Sequence, residues 1–159
     1  MPPRPVDLID ARLLHELQRN NRASVGHLCE TVGLTLATCQ RRLKKLRESG
    51  LIQGEVALVD PRVTARPLTV VIELALDQIG GERRIAFERK LAVQAEFSMV
   101  WAVSGEADFV CIGHFRDIEH YRDFMLRELI GSELVRRQTT FVGIERLRFE
   151  LALEFAVAP

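Results

Sequence analysis

The chain has little of what reactive chemistry requires. Its 159 residues include three cysteines, four histidines, one tryptophan and one tyrosine. Cys29, Cys39 and Cys111 are odd in number, far apart and form no C-x-x-C, which argues against a disulfide framework or a zinc site. Two of them fall on apolar helix faces and read as small buried hydrophobes. The histidines are scattered, and no glycine-rich loop is arranged to cradle a phosphate. With no nucleophile, acid/base pair or metal cluster in array, an enzyme is not expected, nor a cofactor. No apolar run approaches the roughly 18–20 residues of a membrane helix. The opening MPPRPVDLID lacks the apolar core of a secretory signal, so a cytoplasmic protein is expected.

Net charge is also missing, since 22 Lys and Arg balance 22 Asp and Glu. The balance hides a split. Residues 1–54 hold nine basic and five acidic side chains, whereas 55–159 hold 13 and 17. Such asymmetry points to a nucleic-acid-binding part joined to a part with another task. At 47% hydrophobic and 28% charged, the chain is globular, with room for one ordinary domain or two small ones. Proline places the boundary near Asp60-Pro61 or Arg66-Pro67.

What is present centres on TLATCQRRLKKLRESG, Thr35 to Gly50. At helical spacing Leu36, Cys39, Leu43 and Leu46 form one stripe. Thr35 suits the N-cap, and Gly50 the position just past the end. Thr38, Arg41 and Lys45 lie opposite the stripe, flanked by Arg42, Lys44 and Arg47, with Gln40 beside them. Basic residues on a helix are usually only a solvated face. The upstream sequence changes that reading. Asp7 can cap a helix from Leu8 to about Asn20 with Ile9, Leu13 and Leu17 inward. Ser24 can cap a second carrying Val25, Leu28, Cys29 and Val32, and Gly33 supplies a tight turn. Three such helices make a helix-turn-helix, which presents its last helix to the DNA major groove. Thr38, Arg41 and Lys45 are then candidates for base edges, Arg42, Lys44 and Arg47 for phosphates, and Gln40 for either.

Beyond it, Leu51 to Val59 reads as a strand joining the two parts. Strands are expected over Leu68–Asp77, Phe97–Val103, Asp108–Phe115 and Gln138–Phe149, with another at Glu150–Val157. Helices are expected over Glu82–Ala95, burying Phe87, Leu91 and Ala95, and from the Asp117 cap to about Ile130, burying Ile118, Tyr121 and Met125. The order β-α-β, β-α-β is the ferredoxin-like split arrangement, an antiparallel sheet with both helices on one face. Its open face is expected to carry Val71, Ala75 and Val142 beside Thr69, Glu73 and Thr140. That face is too apolar for water and argues for a dimer through the sheet. The fold class is thus α+β, with a winged or plain helix-turn-helix domain over 1–54, a linker strand over 55–66 and a ferredoxin-like domain over 67–159.

This organisation resembles the leucine-responsive/asparagine-type (Lrp/AsnC, feast/famine) bacterial regulators over nearly the whole chain. The resemblance is carried by Ile9–Ser24, Val32–Gly54, VSGEADFV (Val103–Val110) and TTFVGIERLR (Thr139–Arg148). It implies a homodimer, often assembled as a tetramer of dimers, that binds double-stranded promoter DNA. It also implies a small effector, usually an amino acid, held between the C-terminal domains. The family's G-D-x-D loop reads here as Gly105-Glu106-Ala107-Asp108, preceded by Ser104; Glu replaces the first acid and Ala107 an aromatic. Thr140, Phe141 and Val142 match its T-Y-V, and Gly143 replaces a larger apolar residue, which suggests a roomier pocket. Asp108 could meet an effector's ammonium, and backbone N–H groups near Gly105 its carboxylate. The same loop could equally be a plain hairpin turn. Sirohaem decarboxylases look like this fold, but their His/Arg-rich tract and Tyr-Asn-x-Trp-Phe segment are absent. The remaining alternative is a sensor that oligomerises without DNA affinity of its own.

Overall fold

The computed structural model describes residues 6–77, 80–130 and 134–155. The chain divides into two compact units, one made of Met1–Leu58 with Arg148–Pro159, the other of Val59–Leu147.

In the first unit, α1 (Leu8–Arg19), α2 (Val25–Val32) and α3 (Leu36–Glu48) begin where the sequence offers a cap. The side chains of Asp7, Ser24 and Thr35 accept from the N–H groups of Asp10, His27 and Thr38. Gly33, at φ +70°, turns the chain from α2 toward α3 in a conformation that penalises a side chain. Leu13, Leu14, Leu28, Cys29, Cys39, Leu43 and Leu46 form the core. Ile9, Leu17, Val25 and Val32 pack only at its edge, so the buried stripe of α1 runs through Ala11, Leu13 and Leu14. Desolvation, with Cys29 alongside, pushes the Cys39 thiol up to about 11, and all three cysteines are free and buried.

Leu36 was expected inside and is 53% exposed. Ile118, also expected inside, is 57% exposed. Each opens its helix. A helical side chain covers the turn preceding it, and a first residue has no such turn.

In the second unit, β1 (Leu68–Leu76), β2 (Phe97–Ala102), β3 (Phe109–Phe115) and β4 (Val135–Val142) form one antiparallel sheet of order β2-β3-β1-β4. This is the split βαβ order, with α4 (Gly81–Ala92) and α5 (Ile118–Met125) as the crossovers. α5 starts at the Asp117 cap and runs into a π-helical turn, Leu126–Ile130. Val70, Ile72, Leu74, Phe109, Cys111 and Phe115 bury against Phe87, Leu91, Tyr121, Phe124 and Met125. Ala95 lies beyond the end of α4 and is exposed.

Two strand expectations are corrected. Residues 53–60 and 143–155 adopt no regular structure. Both carry apolar residues at alternate positions, but alternation within one segment does not by itself make a strand, which exists only through a ladder with a partner. β4 therefore covers Val135–Val142 instead of Gln138–Phe149, and no strand follows over 150–155; 156 and 157 lie outside the described residues.

The register corrects the open face. Val142 stands opposite Val70 and Thr140 opposite Ile72, so both point to the helix side. Phe141, opposite Val71, and Thr139, opposite Glu73, occupy the open side instead. One residue of phase exchanges the faces of a strand. Residues 148–155, expected with the second domain, group with the first.

Candidate nucleic-acid interface and ligand site

The cations of α3 divide by what they touch. Gln40, Arg41, Lys44, Lys45 and Arg47 are exposed, whereas Thr38 and Arg42 are half-buried. Among the described residues, Arg41 and Lys45 have no ion pair. Lys44 lies 3.7 Å from Glu48 one turn on, a weak exposed pair. Arg47 donates to Glu55 at 2.9 Å. The Thr35 hydroxyl donates to that of Thr38 at 3.0 Å while accepting the Thr38 N–H, so both threonines serve the cap.

Arg42 departs from its expected place on the phosphate side. Its guanidinium donates to Asp7 at 2.6 Å and to Asp10 at 2.8 Å, tying α3 to the first turn of α1. The Asp10 N–H and the Arg42 guanidinium hold the Asp7 carboxyl below its ordinary value. Asp7 and Asp10, three apart on α1, are the signal that sequence reading passed over.

In the second unit, the β2–β3 hairpin is closed by the Val103 N–H donating to the Asp108 carbonyl at 2.9 Å. Gly105 sits at φ +138°, which favours glycine there. Asp108 is not free to meet a ligand's ammonium. One carboxylate oxygen accepts the Leu76 N–H at 2.8 Å, and the other accepts from Arg84 at 2.6 Å. These two donors hold its pKa below 3.8. The Arg84 guanidinium also lies 5.1 Å from the centre of the Phe109 ring. Arg84 gave no signal in the sequence, because nothing in its spacing on α4 singles it out. Glu106 remains exposed, its carboxylate 3.2 Å from Arg137.

Thr140 belongs to a separate network. Its hydroxyl bonds the Tyr121 hydroxyl, and the Gln138 amide donates to Tyr121 at 3.1 Å and to Thr140 at 2.9 Å. An open groove of about 330 Å³ lies along Tyr121, Met125, Leu126, Ile130 and Gln138. Gln138, two residues before Thr140 on the same strand face, was legible as its neighbour and was not singled out. Ser104, Gly105, Glu106 and Asp108 sit on the hairpin, Thr140 in this network, and Phe141 on the open face.

Acid is expected to loosen both units. The pKa values of Asp7 and Asp108 are lowered from 3.8, and that of Glu128 from 4.5 by Arg127 and Lys90. A lowered carboxylate stabilises the fold above its unfolded value and loses that contribution as pH falls through the folded one. Thermal melts should therefore decline slightly below about pH 6.5, where burial resists protonation of His114, and drop further below about pH 4.5. A midpoint unchanged down to about pH 3 would contradict these pairings.

A cationic helix on a helix-turn-helix unit, joined to a ferredoxin-like unit, defines a DNA-binding and ligand-binding pair in one chain. Two family descriptions match it: winged helix-turn-helix DNA-binding over residues 6–53, and the Lrp/AsnC ligand binding domain over residues 69–152. An uncharacterized HTH-type transcriptional regulator of Haemophilus influenzae is 34% identical, covering 82% of this chain and 78% of that protein. The leucine-responsive regulatory protein of the same organism is 32% identical over 90% of this chain and 86% of its own length. Among solved structures, a Neisseria meningitidis transcriptional regulator in complex with L-Met superposes with a TM-score of 0.83 at 25% identity, covering 93% of this chain and 96% of that one. The chain belongs to the Lrp/AsnC family of transcriptional regulators. Its described helices include none long and apolar enough to cross a membrane.

Proposed function

We propose that this regulator reads promoter DNA with Gln40, Arg41 and Lys45 on base edges and Lys44 and Arg47 on phosphates, while Thr35 and Thr38 hold the start of the helix. Arg42 is assigned to the fold and not to DNA. The observation that carries this reading is the pair Arg41 and Lys45, exposed on the helix the motif presents and without an ion partner among the described residues. Arginine or lysine can bond guanine O6 and N7, and glutamine adenine N6 and N7.

The effector is an amino acid, a reading supported by the ligand-binding domain and by the L-Met complex of the Neisseria relative. Asp108 sets the hairpin, and the groups it leaves for a ligand are the backbone N–H groups around Gly105 and the Glu106 carboxylate. Thr140 contributes through its bonds with Tyr121 and Gln138.

The assembly is a homodimer through the open sheet face. Trp101 is 63% exposed and Phe141 51%, beside Val71, Met99, Val110 and Ile112. Paired faces of this kind remove a large apolar patch from water. Trp101→Glu should convert the dimer to a monomer in sedimentation velocity with the helical content unchanged. A dimer that persists would place the interface elsewhere.

The direct test is a mobility shift on the regulator's own upstream region at two salt concentrations, with each standard L-amino acid. A shift that weakens with salt and changes with one amino acid supports the proposal. Effector binding without any DNA shift would move the assignment to a sensor acting through another protein.

A further inference from the structure

Gln18, in the last turn of α1, meets Leu153 as a neighbouring strand would. Its side-chain amide donates to the Leu153 carbonyl, and its side-chain oxygen accepts the Leu153 N–H, both at 2.9 Å. Two residues on, Phe155 packs against the three-helix core and lies along a groove lined by Leu8, Ala11, Arg12, His15 and Thr31. The contact is made by a segment without regular structure. The division of the chain gives the seat its meaning. The first unit consists of residues on both sides of the second, so the polypeptide passes between units twice, after Leu58 and after Leu147.

We propose that residues 148–155 are a strap that closes the back of the DNA-reading unit and carries the effector response to it. The strap leaves β4, the strand that bears Thr140, with only residues 143–147 between. It ends on α1 through Gln18 and Phe155. α1 in turn holds α3 through Asp7 and Asp10 on Arg42, at 2.6 and 2.8 Å. A displacement of the strap thus reaches the recognition helix by one contiguous set of bonds and contacts: Leu153 to Gln18, along α1, then Asp7 and Asp10 to Arg42. The covalent linker of residues 53–60 also reaches α3, through Glu55 on Arg47 at 2.9 Å, so the strap is a second route beside it. Gln18 and Phe155 are positioning residues, since neither lies on the exposed face of α3.

The relay rests on the amino-acid response proposed above, so the test separates the two. Gln18→Leu removes both hydrogen bonds; Phe155→Ala empties the seat. Both are made in the full chain. Hydrogen exchange at the Leu153 amide needs no ligand. The parent should protect it, and Gln18→Leu should speed its exchange by about tenfold or more. DNA affinity without amino acid should stay within about twofold of the parent in both variants, because α3 is untouched. The change in affinity caused by the active amino acid should shrink to less than half. A Leu153 amide that exchanges freely in the parent overturns the strap's seat. Variants that lose protection but keep the full response overturn its role as relay. A parent that answers to none of the standard amino acids removes the effector reading and the relay with it, while the exchange result still decides the seat.

Discussion

Alanine at Arg41 is expected to weaken operator binding by about 1–3 kcal/mol and to relax the preference at one base position, with the melting temperature unchanged. Alanine at Arg42, the next residue, should do the reverse. Arg41 is exposed and has no ion pair among the described residues, so its removal takes nothing from the fold. The Arg42 side chain is 28% exposed and its partner Asp10 only 16%, and truncation leaves that carboxylate and Asp7 facing each other unpaired. An exposed pair contributes up to about 1 kcal/mol, and a hydrogen bond to a charged group more when it is partly sheltered. About 1–2 kcal/mol of stability should be lost, several degrees of melting temperature for a unit of this size. DNA affinity, measured well below the melt, should change little. If Arg42→Ala instead melts like the parent and loses affinity equally on all sequences, with a shallower salt dependence, Arg42 is a phosphate contact and the ion pairs are incidental.

The second large effect is expected at Asp108. Read from sequence it is a ligand contact, and its removal should leave the fold intact. The structure reverses that expectation, because both carboxylate oxygens are engaged, by the Leu76 N–H and by Arg84. Asp108→Ala leaves a half-buried N–H without an acceptor and a guanidinium without its partner over the Phe109 ring, a loss of about 2–4 kcal/mol. Asp108→Asn can still accept the Leu76 N–H and should lose about half as much. Chemical denaturation of the three proteins orders them parent, Asn, Ala. Unchanged stability in the alanine variant, with calorimetry showing loss of effector binding alone, would restore the direct contact.

The architecture was legible because its signals are local. Caps at Asp7, Ser24, Thr35 and Asp117, glycines at 33 and 50, and alternation through Leu68–Leu76 each report on the few residues around them. What sequence missed is what depends on distant partners. Residues 53–60 and 143–155 alternate like strands, yet alternation is a property of one segment and pairing of two. The phase of β4 is fixed by its register on β1, which shifts between Ala75 and Leu76, and that shift leaves no mark in the sequence. Arg42 and Asp108 were both typed correctly as charged and near a functional element. The partners that engage them were not legible, because the carboxylates and the guanidinium lie 24 to 35 residues away in the chain.

The strap also fixes an order of events during synthesis. The three helices are made before the inserted unit, and residues 148–155 after every strand of it. Phe155 and the Leu153 amide can take their places on α1 only then. A nascent chain paused anywhere within the sheet therefore presents a complete set of DNA-facing cations on a domain whose back is still open. The closed form of the DNA-reading unit thus requires the inserted unit to have been made first.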